Sequence, residues 1–194
     1  EGGVMRLENL IAQINDAVYN KIMENRSVSE EEAKETARIV GLAALKYGDL
    51  SNQASKDYIF DIDRFASFEG NTGPYVLYTI VRIKSIIEKH KAENGNISDL
   101  TIKAYDNPEQ IQLMLEIAKA NEVIENAAKE LAPHKICSYV YDLSNAFNRF
   151  YHGTKILAEE DGDKKASYIA LITLTKEVLE TCIDLLGFKA PDRM

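Results

Sequence analysis

The chain has 194 residues, 45% of them hydrophobic, with 10 Gly, 4 Pro and a net charge of −8. That is enough apolar material for one sizeable core, too few breakers for a strand-and-turn architecture, and no apolar run long enough to cross a bilayer. The acidic balance argues against sequence-blind binding to nucleic acid, which needs a broad basic surface, and leaves room only for a local site. Neither DNA nor a membrane is an expected partner. Two cysteines, Cys137 and Cys182, fall in no metal-ligand or CxxC spacing and read as small buried side chains in a reducing compartment. No secretory signal is legible, so a soluble, cytoplasmic protein is expected.

Between Val4 and Glu24, apolar Leu7, Leu10, Ile11, Ile14, Val18 and Ile22 predict an amphipathic helix with one buried stripe. In Ser27-Val28-Ser29, Ser29 with Glu32 three residues on is a capping-box pattern, and the helix it starts runs through Ala33, Ala37, Val40, Ala44 and Tyr47. Alanines on that face permit close helix approach. From 57 to 63 the chain alternates, with Tyr58, Phe60 and Ile62 on one side, which predicts an extended segment packed on helices. Asp61 and Asp63 form a DxD pair, but with no third ligand type nearby they read as a solvated face, and no metal site is expected.

Ser67 to Pro74 reads as a tight turn feeding a helix. Gly70, Asn71 and Gly73 tolerate positive φ, and Pro74 suits the first helical position. Tyr75, Tyr78 and Arg82 follow at spacings of three and four, so they share one helix face. Two phenol rings and a guanidinium suit stacking against bases and pairing with phosphate; the same pattern also describes a core edge beside a surface charge. The helix to Lys91 carries Arg82, Lys84, Lys89 and Lys91 against the single acid Glu88, a basic element in an acidic protein.

A polar loop is expected from Ala92 to Thr101. Pro108 then opens a helix with Ile111, Leu115, Ala118, Ile124, Ala127 and Leu131 as inward positions, broken at Ala132-Pro133. From Pro133 to about Gly153, Ile136, Val140, Leu143, Phe147 and Phe150 form the clearest stripe in the chain, while Tyr141, Asn145, Asn148 and His152 occupy a second face with Tyr151 at the end. After a charged loop, Lys165 to Leu186 predicts a last helix with Ile169, Ile172, Val178, Leu179, Cys182 and Leu186 as core; Gly187 ends it and Pro191 bars its resumption. The histidines His90, His134 and His152 lie on separate elements with no paired-ligand spacing. Gly70-Asn71-Thr72-Gly73 lacks the lysine and preceding strand of a phosphate-binding loop.

Several strings carry a resemblance. Phe68-Glu69-Gly70-Asn71-Thr72-Gly73-Pro74-Tyr75, the run from Gly41 to Ser51, the run from Tyr141 to Tyr151, and the tail from Leu185 to Met194 are similar to segments of class I arginyl-tRNA synthetases. Gly2 to Leu7 resembles the stretch that follows the signature loop of their catalytic domain. The resemblance implies an all-α helical bundle: residues 66–194 as the DALR anticodon-binding domain, and 1–65 as a helical junction from the end of the catalytic domain. It implies the anticodon stem-loop of an arginine tRNA as partner, together with the catalytic domain missing from this C-terminal fragment. On the same basis Tyr75, Tyr78, Arg82, Tyr151 and Met194 face the tRNA, with Tyr141 and Asn148 ranked after them.

Full-length members of that family join arginine to its tRNA using ATP, with Mg. The His-x-Gly-His and Lys-Met-Ser-Lys-Ser type signatures that hold ATP do not occur here, so no catalytic residue and no cofactor are expected in this chain, which by itself should be inactive. The alternative reading is a helical protein-protein interaction module without RNA binding, which the acidic balance favours.

Overall fold

The computed structural model describes residues 6–24, 28–95 and 101–194. Among them are eight α-helices and no strand: α1 (Leu7–Glu24), α2 (Glu30–Leu50), α3 (Ile62–Phe65), α4 (Gly73–Asn94), α5 (Pro108–Ala118), α6 (Ala120–Glu130), α7 (Pro133–Gly153) and α8 (Gly162–Leu185). Gly2 to Met5 of the first string, residues 25–27 and residues 96–100 of the expected Ala92–Thr101 loop fall outside the described residues, and Ala92 to Asn94, expected in that loop, instead continue α4 until Gly95 ends it.

Ser29 caps α2, its hydroxyl accepting from the Glu32 amide at 3.3 Å, and three glutamates in the first turn complement the positive end of the helix. The buried face of α2 is mostly small, Ala33, Ala37, Ala43 and Ala44 among them, and α1 and α4 both pack against it. Residues 57–61 belong to neither helix nor strand, with Asp61 extended, whereas Ile62 and Asp63, expected in the same extended run, begin the short α3 instead because Asp61 caps a helix there. Tyr58 and Phe60 pack on buried Phe65, with ring centroids 6.1 and 4.6 Å away. Asp61 caps α3 by accepting from the Arg64 amide at 3.1 Å.

The turn before α4 uses its residues differently from one another. Only Gly70 of the three flexible residues has positive φ, +77°. Gly73 is needed for room: a Cβ there would lie 2.5 Å from the Ala43 carbonyl oxygen, so its absence lets α4 start against the α2 backbone. Thr72 supplies the cap, accepting from the Tyr75 amide at 3.3 Å and donating to the Ser67 carbonyl at 2.6 Å, and Pro74 is the second helical residue. Buried Tyr47 of α2 lies 2.6 Å from Asn71 Oδ1 and 2.7 Å from the Cys137 carbonyl, tying turn, α2 and α7 together.

One expectation fails on α5. Ile111 and Leu115 are 42% and 53% exposed, Ala118 is exposed, and Leu131 is 86% exposed in a left-handed conformation that closes α6. The helix also breaks at Lys119, giving two helices instead of one. Gln110 and Leu113 are the fully buried positions, and the Gln110 amide donates to the Lys103 carbonyl at 2.8 Å and accepts from the Tyr105 amide at 3.0 Å. The apolar side chains of α5 spread over more than half of its circumference, with Glu109, Gln112 and Glu116 on the remainder, so the helical period admits more than one inward stripe; the buried amide selects the one that points inward.

The α7 stripe is buried throughout, each side chain contributing about 1.5–3 kcal/mol. On α8, Ile169, Ile172, Leu179 and Cys182 are buried and Val178 half-buried. Gly187, φ +80°, ends α8 as expected, with the Phe188 amide donating back to the Ile183 carbonyl at 3.1 Å. Phe188 is buried edge-on to Tyr47. A single apolar core runs from Ile14 and Val18 of α1 through α2, α4 and α7 to Ile183 of α8. No described helix is long and apolar enough to cross a membrane.

Candidate nucleic-acid interface

The face where α4 meets α7 is organised around one amide. Asn148 Oδ1 accepts from Arg82 Nη1 at 2.6 Å, while its Nδ2 donates to the Tyr75 hydroxyl at 2.9 Å and to Thr79 Oγ1 at 3.2 Å. The Tyr75 hydroxyl donates onward to Asn145 Oδ1 at 2.7 Å, and Thr79 Oγ1 donates to the Tyr75 carbonyl at 3.1 Å. The Arg82 guanidinium carbon then lies over two rings, 4.8 Å from the centroid of Tyr78 and 5.0 Å from that of Tyr151. Contacts of this kind are worth about 0.5–1 kcal/mol each at exposed sites. Tyr151 is stacked on buried Phe147, centroids 6.0 Å apart, so the core holds its ring.

Tyr78 and Tyr151 remain 41% and 37% exposed and, with Arg82 and Met194, line a groove of about 840 Å³. Met194 reaches it because the tail is pinned. Pro191 is buried, and Lys84 Nζ donates to its carbonyl at 3.3 Å while pairing with Asp192 at 3.3 Å and Glu180 at 3.4 Å. Lys89 and Arg193 line the same groove with no ion-pair partner among the described residues. Glu32, Glu88 and Asp192 lie on its walls, so its charge is mixed. A second cavity of about 520 Å³ adjoins it across Val28, Tyr78, Arg193 and Met194.

Of the residues singled out from sequence, Tyr78, Arg82, Tyr151 and Met194 come together on this groove. Tyr75, Tyr141 and Asn148 do not line it. Tyr75 is half-buried with its ring 5.7 Å from that of Tyr141 and its hydroxyl between Asn145 and Asn148. Lys84 and Arg193 were not singled out as site residues. The basic character of α4 and the neighbour position of Arg193 to Met194 were the available signals, but no local pattern shows that the tail folds back onto α4.

Comparison with known proteins agrees with this fold along the whole chain. The model of the DALR anticodon binding domain matches residues 76–194, and that of the class I (R) tRNA synthetase catalytic domain matches residues 1–62. The arginine-tRNA ligase of Agathobacter rectalis is 62% identical over 202 residues, covering all of this chain and 34% of the relative; that of Alkaliphilus oremlandii is 57% identical over 194 residues, covering all of this chain and 33% of the relative. Thermus thermophilus arginyl-tRNA synthetase superposes with a TM-score of 0.86 at 26% identity, over 100% of this chain and 33% of that one. The Plasmodium falciparum arginyl-tRNA synthetase gives a TM-score of 0.86 at 28% identity, over 98% and 34%. The chain spans about a third of the length of the curated relatives it matches. With more than half of its residues inside one matched domain and the helical bundle that domain requires, the chain belongs to the DALR anticodon binding domain family.

Proposed function

We propose that the groove between α4, the end of α7 and the C-terminal tail receives the anticodon stem-loop of an arginine tRNA. The observation that carries this reading is Arg82 held over two half-exposed tyrosine rings on the wall of an open groove. Loop bases that leave their stack gain about 1–3 kcal/mol each on an aromatic face, and a guanidinium pairs with phosphate or stacks in turn. The ligation of arginine to that tRNA belongs, on this reading, to a longer cytoplasmic protein in which residues 1–65 join the catalytic domain to the anticodon-binding part, residues 66–194.

The His-x-Gly-His and Lys-Met-Ser-Lys-Ser type signatures that hold ATP in the family do not occur in these 194 residues, and on this reading the ATP-dependent step belongs to the rest of the longer protein.

Fluorescence titration of the 194-residue chain with an arginine-tRNA anticodon stem-loop tests the reading. Affinity should fall as salt is added, and Tyr78→Ala should weaken it about tenfold, as expected for a lost base stack. Binding no tighter than to an unrelated stem-loop, and indifferent to Tyr78→Ala, would overturn it in favour of a protein-interaction module.

A further inference from the structure

We infer that Asn148 is a positioning residue: it fixes the Arg82 guanidinium between the two tyrosines without itself touching RNA. The inference rests on the tRNA-binding reading of the groove and adds a residue that acts from behind it.

Hydrogen-bond polarity fixes which way the Asn148 amide faces. An amide presents an acceptor on one side and two donors on the other, and its neighbours determine which way it faces. The Tyr75 hydroxyl gives its proton to Asn145 Oδ1, and Thr79 Oγ1 gives its proton to the Tyr75 carbonyl, so both oxygens turn lone pairs toward Asn148. Only the amide nitrogen satisfies them, at 2.9 and 3.2 Å. Oδ1 is thereby aimed at Arg82, which donates to it at 2.6 Å. The reverse orientation would set an NH₂ group against a guanidinium, donor against donor. An arginine is a long, flexible side chain, and one already held in place loses less freedom when its partner arrives. Asn148 is half-buried, and its oxygen and amide nitrogen are both engaged in these bonds, off the groove. Thr79, which helps orient it, is fully buried and out of reach of any RNA.

The test is a double-mutant cycle read by stem-loop affinity, with wild type, Arg82→Ala, Asn148→Leu and the double variant each checked for a cooperative helical melt. Asn148→Leu should weaken binding about tenfold, the cost of a lost hydrogen bond to a charged group, and Arg82→Ala at least as much. In the Arg82→Ala background the Asn148→Leu loss should shrink to about twofold or less, because residues that act as one unit are not additive. Thr79→Val, nearly isosteric and buried, should weaken binding about threefold in the wild-type background and be silent in the Arg82→Ala background. It carries the cycle if Asn148→Leu fails to fold. The same tenfold loss from Asn148→Leu in both backgrounds means direct RNA contact and overturns the inference, as does no loss from either Asn148→Leu or Thr79→Val in the wild-type background while Arg82→Ala binds weakly. If Arg82→Ala binds like wild type, the tRNA-binding reading of the groove fails, and the positioning role fails with it.

Discussion

Arg82 of α4 and Tyr151 of α7 meet with the guanidinium carbon 5.0 Å from the ring centroid. Neither is held there by the other alone. Ile80 and Ile83 of α4 and Phe147 and Phe150 of α7 are buried in one core, and that packing sets the separation of the polar pair on the surface above.

The contact uses the Tyr151 ring, and its hydroxyl makes no hydrogen bond among the described residues. Tyr151→Phe should therefore bind the arginine stem-loop within about twofold of wild type, whereas Tyr151→Ala should lose about tenfold, the value of one aromatic stack. Parallel titrations of the two variants check this.

Gly73 and Gly70 should respond to alanine for different reasons. At Gly73 the added methyl meets the Ala43 carbonyl oxygen at 2.5 Å, so α4 must shift from α2, and a loss of about 1–3 kcal/mol is expected from overpacking. At Gly70 nothing lies within 4 Å, and the cost is about 1 kcal/mol from the positive φ alone. Urea melts rank the two. Only Gly73→Ala should also disturb tRNA binding, because it moves the helix that carries Tyr78 and Arg82.

Leu113→Ala should destabilise by about 2–5 kcal/mol, whereas Leu115→Ala should stay within about 0.5 kcal/mol. Leu113 is fully buried and Leu115 is 53% exposed, two residues away on the same helix. Thermal melts of the pair check the orientation of α5.

Burial raises the Cys137 thiol from 9.0 to about 12 and that of Cys182 from 9.0 to about 11. Each folded thiol holds its proton more tightly than the unfolded one. The stability this contributes is complete below pH 9 and is lost as pH rises, through about 11 for Cys182 and about 12 for Cys137. Denaturant midpoints should accordingly fall in alkali. At pH 8 both thiols should resist alkylation in the native chain and react once it is unfolded, a difference mass spectrometry reads directly.

The sequence by itself determined the all-helical class, the Ser29 cap, the α7 stripe from Ile136 to Phe150 and the stop at Gly187, because each depends on residues within one or two helical turns. It also put Tyr78 and Arg82 on one face, since helical spacing alone does that. Tertiary structure decided what local spacing leaves open. It chose Gln110 and Leu113 over Ile111 and Leu115 on a helix whose apolar sector is wide enough for either, because a buried amide must find partners in another segment. It separated Tyr78, Arg82, Tyr151 and Met194, which line the groove, from Tyr75 and Asn148, which lie behind it. That division depends on hydrogen bonds between residues 66 to 73 positions apart, a relation with no periodic trace in the chain.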